Sequence, residues 1–589
     1  MTSALETARA MVAGVVAGGL RRAVFAPGSR SAPLVYAALE AAERGQLELT
    51  VRTDERVAAF TALGMAAASG EPAAVVTTSG TAVANLHPAV MEAAASRWPL
   101  IVISADRPAE LQGVGANQTT DQRRVFGAAP GWQETAPAGL GPGRAYRLGL
   151  AAARAARGCR SAVPGPAHIN AQFREPLVPG PDWMAMVAAP DLPAPDSAAT
   201  ISGQRLNQGE AGGGDEMVPV RLEPGPKTVV VAGFGAGPQA RELAEEAGWP
   251  LIAEPASGAW AGPNAITAGR LVLAAAPSLC GQIERLVVYG RPVLSRPVTR
   301  LVQDPAVQTV IVHRGGGAWF DLGRAASRIA SRVLFPAASA GQRCPERAWL
   351  EAWLQAGRTV GRQLAAAPFP NGPAVAAAVM GWLASQGADA AVPPAHPSPL
   401  VAGASSAIRD LDLAPAPPTG AAVWAMRGLA GIDGTVSFAG GVALATGQPT
   451  TVLLGDLALA HDVGGLAVPS TEKRPDLRIV VLDDQGGAIF ENLEPAGLGL
   501  ELAFERFFAT PLPINWRALA QAHGVSYNTA HMARELAASL DEPIRGISLV
   551  RVPLRRAERR GADNKTVELS RSALSLPGNS QECGRIHPG

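Results

Sequence analysis

Short apolar runs rich in β-branched residues recur along the chain, and most stop at a polar, glycine-containing turn before a helical pattern begins. Runs of this kind read as strands buried on both faces of a parallel sheet. In the first part of the chain they predict strands at Arg22–Phe25, Leu47–Arg52, Ala73–Thr77 and Leu100–Ser104. A helix is expected at Ala4–Gly18 and a small-residue helix at Val57–Ala68. Strand, polar turn and helix in repetition predict a doubly wound parallel sheet. The turns are Ala26–Pro33 (APGSRSAP), Thr53–Arg56 (TDER), Thr78–Ala82 (TSGTA) and Ala105–Pro108 (ADRP). All come directly after strands, so they share the edge where such sheets bind ligands. Gly113–Gln122 (GVGANQTTDQ) is too polar for a regular element and reads as a ligand-facing loop.

Periodicity stops between 180 and 225, and Pro190–Gly214 reads as a linker. A second unit opens with KTVVVAGFGAGPQARELAEEAG, a strand, a glycine turn and a helix. Gly233, Gly235 and Gly237 suggest a dinucleotide loop, but Pro238 stands where the third glycine belongs, and only Glu254 could supply the ribose-binding acid. A tight strand–helix turn is the better reading. Strands at Arg285–Val288 and Thr309–Val312 extend the same sheet. Residues 345–370 read as helical, and 388–399 as a proline-rich interruption.

The third unit runs from Leu400 to about Pro553. Its strand Thr451–Leu454 ends at Gly455-Asp456, and helical spacing continues from Leu457 to Val468. A second strand, Leu477–Leu482, ends at Asp483-Asp484-Gln485-Gly486-Gly487. Asp456 and Asp484 thus leave neighbouring strand ends 484 − 456 = 28 positions apart. Oxygen ligands there suit Mg²⁺ bound with a phosphate. Alternatively Asp456 is a helix N-cap and DDQGG an ordinary turn. The pattern leaves both open.

These units predict an α/β protein of three doubly wound parallel-sheet domains: 1–185, a linker 186–225, then 226–360 and 361–556. The polar, unpatterned stretch 557–589 is expected to be a disordered tail. A length of 589 residues accommodates several such domains. The charge balance, 51 basic against 50 acidic residues, gives no footprint for nucleic acid or an anionic membrane. The four cysteines lack paired spacing, which points to a reduced, cytoplasmic protein without a zinc site. The N-terminus lacks the basic start of a signal peptide, and no apolar run is long enough to span a bilayer. His87, His168 and His461 have neither metal nor triad spacing and read as structural.

PGSRSAP, TDER, TSGTAVANLHPAV, ADRPAEL, GANQTTDQ, RGLAGIDG and GDLALAHD…DDQGGAIF occur in that order. Together, over about residues 5–555, they closely resemble the thiamine-diphosphate enzymes of menaquinone synthesis, the 2-succinyl-5-enolpyruvyl-6-hydroxy-3-cyclohexene-1-carboxylate (SEPHCHC) synthases. The resemblance implies a pyrimidine-binding first domain, a cofactor-free Rossmann-like middle domain and a diphosphate-binding third domain. It implies an active site between the first domain of one subunit and the third of another, hence a homodimer or homotetramer. Glu55 would be the desolvated acid that hydrogen-bonds pyrimidine N1′ and drives deprotonation of the thiazolium carbon; without the resemblance it could be merely an acid at a helix start. Asp456, Asp484 and the Gly486 carbonyl would hold Mg²⁺ or Mn²⁺ against the diphosphate. Gly455, Ile489, Phe490 and Leu493 would contact the cofactor.

The implied substrates are 2-oxoglutarate, which is decarboxylated to a four-carbon carbanion equivalent, and isochorismate, which accepts it by conjugate addition. Both bring carboxylates, which the forked donors of arginine match. The positions matching the anion-binding set are Ser29, Arg30, Arg107, Gln118, Arg296, Ser405, Arg409 and Arg427. The sequence departs from the pattern twice: Asp484 stands where thiamine enzymes commonly carry Asn, and Ser295 where some relatives carry Lys. Two rival readings are another thiamine-diphosphate carboligase or decarboxylase, such as an acetohydroxyacid synthase, and a non-catalytic ligand-binding protein of the same fold.

Overall fold

A computed structural model describes residues 2–159, 163–180, 183, 218–313, 315, 319–324, 326–335, 344–386, 398–417 and 422–575. The expected linker Pro190–Gly214 and residues 388–397 lie outside the described residues.

The first sheet comprises β1 (Arg22–Phe25), β2 (Glu48–Val51), β3 (Ala73–Thr77), β4 (Leu100–Asp106), β5 (Trp132–Ala136) and β6 (Ala167–Gln172). All pairs are parallel, in the order β2-β1-β3-β4-β6-β5. The hydrophobic pattern predicts only the first four. It misses β6 because this fully buried strand carries His168, Asn170 and Gln172. Hydrogen bonds offset part of the cost of burying the first two: Ser104 Oγ to His168 Nε2 at 2.8 Å, and Asn170 Nδ2 to Asp106 Oδ2 at 2.9 Å.

A short strand β7 (Val220–Arg221) precedes the middle sheet of β8 (Thr228–Ala232), β9 (Leu251–Ala253), β10 (Arg285–Tyr289), β11 (Gln308–Val312) and β12 (Ala326–Ala330), ordered β12-β11-β10-β8-β9. β13 (Val333–Leu334) pairs with β7. The expected long helix is Cys344–Ala365, and a second helix, Gly372–Ser385, comes after it. The third sheet has β14 (Leu400–Ala402), β15 (Val423–Trp424), β16 (Thr450–Gly455), β17 (Leu477–Asp483), β18 (Ser526–Thr529) and β19 (Ile547–Pro553). Its order is β15-β14-β16-β17-β19-β18, again parallel. β16 and β17 are neighbours with Gly455 opposite Leu482, so Asp456 and Asp483-Asp484 emerge side by side. Among the described residues, no helix is long and apolar enough to cross a membrane.

The first and third sheets share a core. Phe60 and Leu63 on helix Glu55–Ser69 cluster with Val436, Phe438 and Val442 on helix Thr435–Thr446. Two glycines let these backbones touch. A Cβ on Gly64 would lie 2.0 Å from the Phe438 carbonyl oxygen, and one on Gly441 would lie 2.0 Å from that of Thr61. Gly441→Ala is therefore expected to lower stability by about 1–3 kcal/mol, as overpacking does, although alanine favours helix. A calorimetric melt would read this as a lowered Tm; an unchanged Tm would contradict the close packing.

The expected disorder of the tail from 557 is corrected over residues 557–575. Residues Arg556–Arg559 form a 3-10 turn and Ala562–Leu574 a helix that lies on helices Gly269–Ala275 and Cys344–Ala365 of the middle domain. Val567 and Leu574 pack against that domain's core, and Arg571 Nη2 donates to the Ala274 carbonyl at 2.8 Å. Two apolar side chains one heptad apart are too few to register as a periodic face; the Arg270–Asp563 ion pair and the Arg571 hydrogen bond supply much of the rest. Residues 576–589 lie outside the described residues.

Candidate active site

Gly455, extended at φ −81° and ψ 164°, is the N-cap of helix Asp456–His461, so Asp456 is the first helical residue rather than the cap. Asp456 is 5% exposed. Its Oδ1 accepts from Leu457 N–H at 2.8 Å, and its Oδ2 from Gly486 N–H at 2.7 Å. Burial pushes its carboxyl up to about 7 against these two donors, and Asp483 and Asp484 add to the rise. Burial likewise raises Asp484 to about 6, opposed by Arg559. Asp483 pairs with Arg551 at 2.5 Å and Asp484 with Arg559 at 2.9 Å. Asp456 has no ion pair among the described residues.

Buried hard oxygens crowded together, with the charge of Asp456 left without a counter-ion, fit a divalent cation. Among the described residues there is no cluster of three or more His, Cys, Asp or Glu side chains able to hold a metal. A cation here needs a backbone carbonyl and ligand oxygens to complete its shell. Gly486 is suited to a close approach: its φ is +127°, and a Cβ would lie 2.3 Å from the Ala509 carbonyl oxygen. In this structure its N–H, not its carbonyl, meets Asp456; the carbonyl accepts from Ala488 N–H at 2.8 Å and keeps a second lone pair.

Glu55 opens helix Glu55–Ser69, but Asp54 is the cap, accepting from Arg56 N–H at 2.8 Å and Val57 N–H at 3.1 Å. The helix start therefore does not need Glu55 for capping. Glu55 is half-buried, with Asn85 Nδ2 3.5 Å from its Oε2, less desolvated in the single chain than the resemblance implies. Arg56 Nη2 donates to the His461 carbonyl at 2.7 Å. The TDER turn thus touches the far end of the short helix that Asp456 begins.

The anion-binding candidates form three groups. Ser29, exposed, and Arg30 lie just after β1; Arg30 Nη1 donates to the Phe173 carbonyl at 3.1 Å. Arg107 is buried, and its Nη1 donates to Ser79 Oγ and, at 2.8 Å, to the Gln118 carbonyl. Burial, then the field of Arg30, holds the Arg107 guanidinium below its ordinary value. Gln118, in the left-handed region at φ +56°, donates from Nε2 to the Ser79 carbonyl at 2.7 Å. In the second group, Ser405 is the N-cap of helix Ser406–Leu411. Arg409 Nη1 donates to the Ser405 carbonyl at 2.8 Å and lies 3.5 Å from the Ala404 carbonyl, which accepts from Arg427 Nη1 at 2.9 Å. Burial, then Arg427, lowers Arg409 to about 10. Arg427 Nε is buried without a hydrogen-bond partner. Two like charges converging on one carbonyl, with a donor unused, suit a bound anion.

Arg296, the third group, is exposed and pairs with Glu494 at 2.7 Å. That contact carries the middle domain to the 3-10 turns holding Ile489, Phe490 and Leu493, all half-buried; Phe490 meets Phe508 edge-on at 5.6 Å. The sequence reading missed Ser79 and Asn170, which brace this edge, and Arg559. Ser79 lies within TSGTA, a turn already placed on the ligand edge, so a signal existed; Arg559 had none.

Glu254, the failed ribose-acid candidate, has a structural place. Its Oε1 accepts from Leu294 N–H at 2.7 Å, two residues before Arg296. Burial, chiefly, raises its carboxyl to about 8 from the ordinary 4.5; Asp412 adds to the rise, and Leu294 N–H and Arg427 oppose it. The folded state therefore holds a proton that the unfolded state releases, and stability falls as pH rises from about 4.5 through about 8. Glu254→Gln is expected to flatten that fall. Melting curves across this range would test it; parallel wild-type and variant profiles would contradict it.

Residues 5–125 match the family model described as thiamine pyrophosphate enzyme, N-terminal TPP binding domain. The chain is 44% identical over 563 residues, 93% of this chain and 96% of the relative, to the 2-succinyl-5-enolpyruvyl-6-hydroxy-3-cyclohexene-1-carboxylate synthase of Kineococcus radiotolerans. It is 43% identical over 582 residues, covering 97% of this chain and 98% of the relative, to the enzyme of that name from Paenarthrobacter aurescens. For the Nocardioides enzyme the figures are 41% over 578 residues, 96% and 97%. The parallel sheets, the ligand edge and near full-length similarity agree, and the chain belongs to the family of 2-succinyl-5-enolpyruvyl-6-hydroxy-3-cyclohexene-1-carboxylate synthases, which are thiamine-diphosphate enzymes.

Proposed function

We propose that this protein decarboxylates 2-oxoglutarate and adds the resulting four-carbon unit to isochorismate by 1,4-addition, releasing CO₂ and forming SEPHCHC in menaquinone synthesis. The observation that carries the substrate reading is the buried Arg427 and half-buried Arg409 converging on the Ala404 carbonyl, with Arg427 Nε unpartnered. Both substrates are dicarboxylates, and a desolvated guanidinium pair binds a carboxylate far better than a neutral ring.

Thiamine diphosphate supplies the electron sink for decarboxylation and for carbon–carbon bond formation. The chain's residues do the rest. Glu55 holds a proton at pyrimidine N1′. Asp456 and Asp484, with the Gly486 carbonyl, would hold Mg²⁺ or Mn²⁺, and backbone at Gly455 would contact the diphosphate. Ile489, Phe490 and Leu493 wall off water from the reacting carbon. Ser29, Arg30, Arg107 and Gln118 orient one substrate, while Ser405, Arg409 and Arg427, with Arg296 at the rim, orient the carboxylates of the other. The proposed assembly is a homodimer or homotetramer, the first domain of one subunit covering the third of its partner. A half-buried Glu55 in the single chain is consistent with completion by coenzyme and partner. The scattered cysteines suit a cytoplasmic enzyme.

The test is incubation of the holoenzyme with 2-oxoglutarate, with and without isochorismate, and separately with pyruvate. Isochorismate-dependent product from 2-oxoglutarate is expected. Consumption of pyruvate instead would favour an acetohydroxyacid synthase-like activity, and no turnover of either oxo acid would favour a non-catalytic binding protein.

A further inference from the structure

The C-terminal turn grips the proposed metal loop along its length. Arg559 Nε donates to Asp484 Oδ1 at 2.9 Å, and its Nη1 donates to both oxygens of buried Asp410 at 2.9 and 3.0 Å. Arg556 Nη1 donates to the Gln485 carbonyl at 2.8 Å and its Nε to Glu491 Oε1 at 3.1 Å. Arg560 Nε binds Glu491 Oε2 at 2.9 Å, and Arg556 also pairs with Glu505. The helix beyond is tied to the middle domain, where Arg270 meets Asp563 at 2.5 Å and Asp412 at 3.2 Å. Residues 556–563 therefore strap the loop after β17 to two other parts of the fold.

The charges explain why. Asp456, Asp483 and Asp484 are all buried at one strand-end edge. Arg551 answers Asp483 and Arg559 answers Asp484. Arg559 takes Asp484 by one oxygen only, so Oδ2 is not drawn into that ion pair. Asp410 sits where it can anchor the guanidinium: a Cβ on Gly372 would lie 2.2 Å from its Oδ2, so the carboxylate is packed directly against backbone.

We propose that Arg559 is a positioning residue of the metal site, holding Asp484 by Oδ1 and balancing its charge while leaving Oδ2 outside the ion pair for a cation. The C-terminal turn is thereby part of the metal site, delivered from outside the sheet that carries the ligands. This rests on the reading of Asp456 and Asp484 as metal ligands. An arginine at this point makes an aspartate usable where a neutral amide would need no partner. Loss of a residue that orients a metal ligand typically weakens metal binding about 10–100-fold.

The experiment is Mn²⁺ titration of the full-length protein with thiamine diphosphate, read by the loss of the free-ion EPR signal. Arg559→Gln is expected to weaken Mn²⁺ binding at least about tenfold. In the Asp484→Asn background the same change is expected to have less than about a threefold effect, because the charge it answered is gone. Arg559→Lys, a point charge that cannot bridge two carboxylates with the same fork, is expected to fall between wild type and Arg559→Gln. If Arg559→Gln fails to fold, Arg559→Lys in the two backgrounds carries the same comparison. Equal weakening in both backgrounds, or none in either, overturns the proposal. Asp456→Ala separates the two levels: wild-type Mn²⁺ binding by that variant overturns the metal-site reading itself, whereas lost binding there beside unaffected Arg559 variants overturns only the role of Arg559.

Discussion

Asp456→Ala is expected to abolish carboligation, with a loss of at least about 10²–10³-fold, the scale of removing one group that stabilises charge in a closed site. The residue lies 5% exposed at the mouth of β16 with acidic neighbours and only backbone donors. Its burial is costly unless a cation compensates it. Removing it frees Gly486 N–H and takes a charged ligand from the cation that would clamp the diphosphate. Asp484→Asn is expected to behave differently. Asparagine keeps a hard oxygen at the position, so activity is retained, and the Mg²⁺ requirement moves modestly. Steady-state rates against Mg²⁺ concentration test both; a fully active Asp456→Ala would refute the metal site.

Glu55→Gln is expected to reduce turnover by about 10²–10⁴-fold, the contribution of a positioned acid or base. Thiamine diphosphate binding should change little, because on the proposed reading the diphosphate end would be held on another domain. The variant should also fold normally. Asp54 caps the helix and Arg56 makes the contact to the His461 carbonyl, so neither structural duty falls on Glu55. A Glu55→Gln protein with normal binding and melting but wild-type turnover would remove the acid from the mechanism.

The ligand edge was legible because parallel strands buried on both faces leave uninterrupted apolar runs, and the turns that leave the ends of these runs must lie at one edge. Asp456 and Asp484 follow from that pattern, which also puts the TDER and ADRP turns on the edge, while the roles of Glu55, Arg107 and Gln118 come from the resemblance; the neighbouring β16 and β17 place the two aspartates side by side. β6 was not legible: His168 and Asn170 are buried, and only their partners on β4 and Gln122 make that tolerable. The helix Ala562–Leu574 was missed for a related reason. It shows the middle domain two apolar side chains and a set of charges, and Arg270, which holds it, lies 293 residues away in sequence. Arg559 and Asp484 are 75 positions apart. Long-range ion pairs leave no local pattern, so the resemblance could name Asp484 as a departure but not its counter-charge.

The most direct measurement is hydrogen–deuterium exchange at the thiazolium C2 of enzyme-bound thiamine diphosphate, monitored by quenched-flow NMR in wild type and Glu55→Gln. Exchange well above that of the free coenzyme, collapsing toward it in the variant while coenzyme and metal remain bound, is the predicted result. Equal exchange in the two proteins would contradict the assignment of position 55 as the acid that activates the coenzyme.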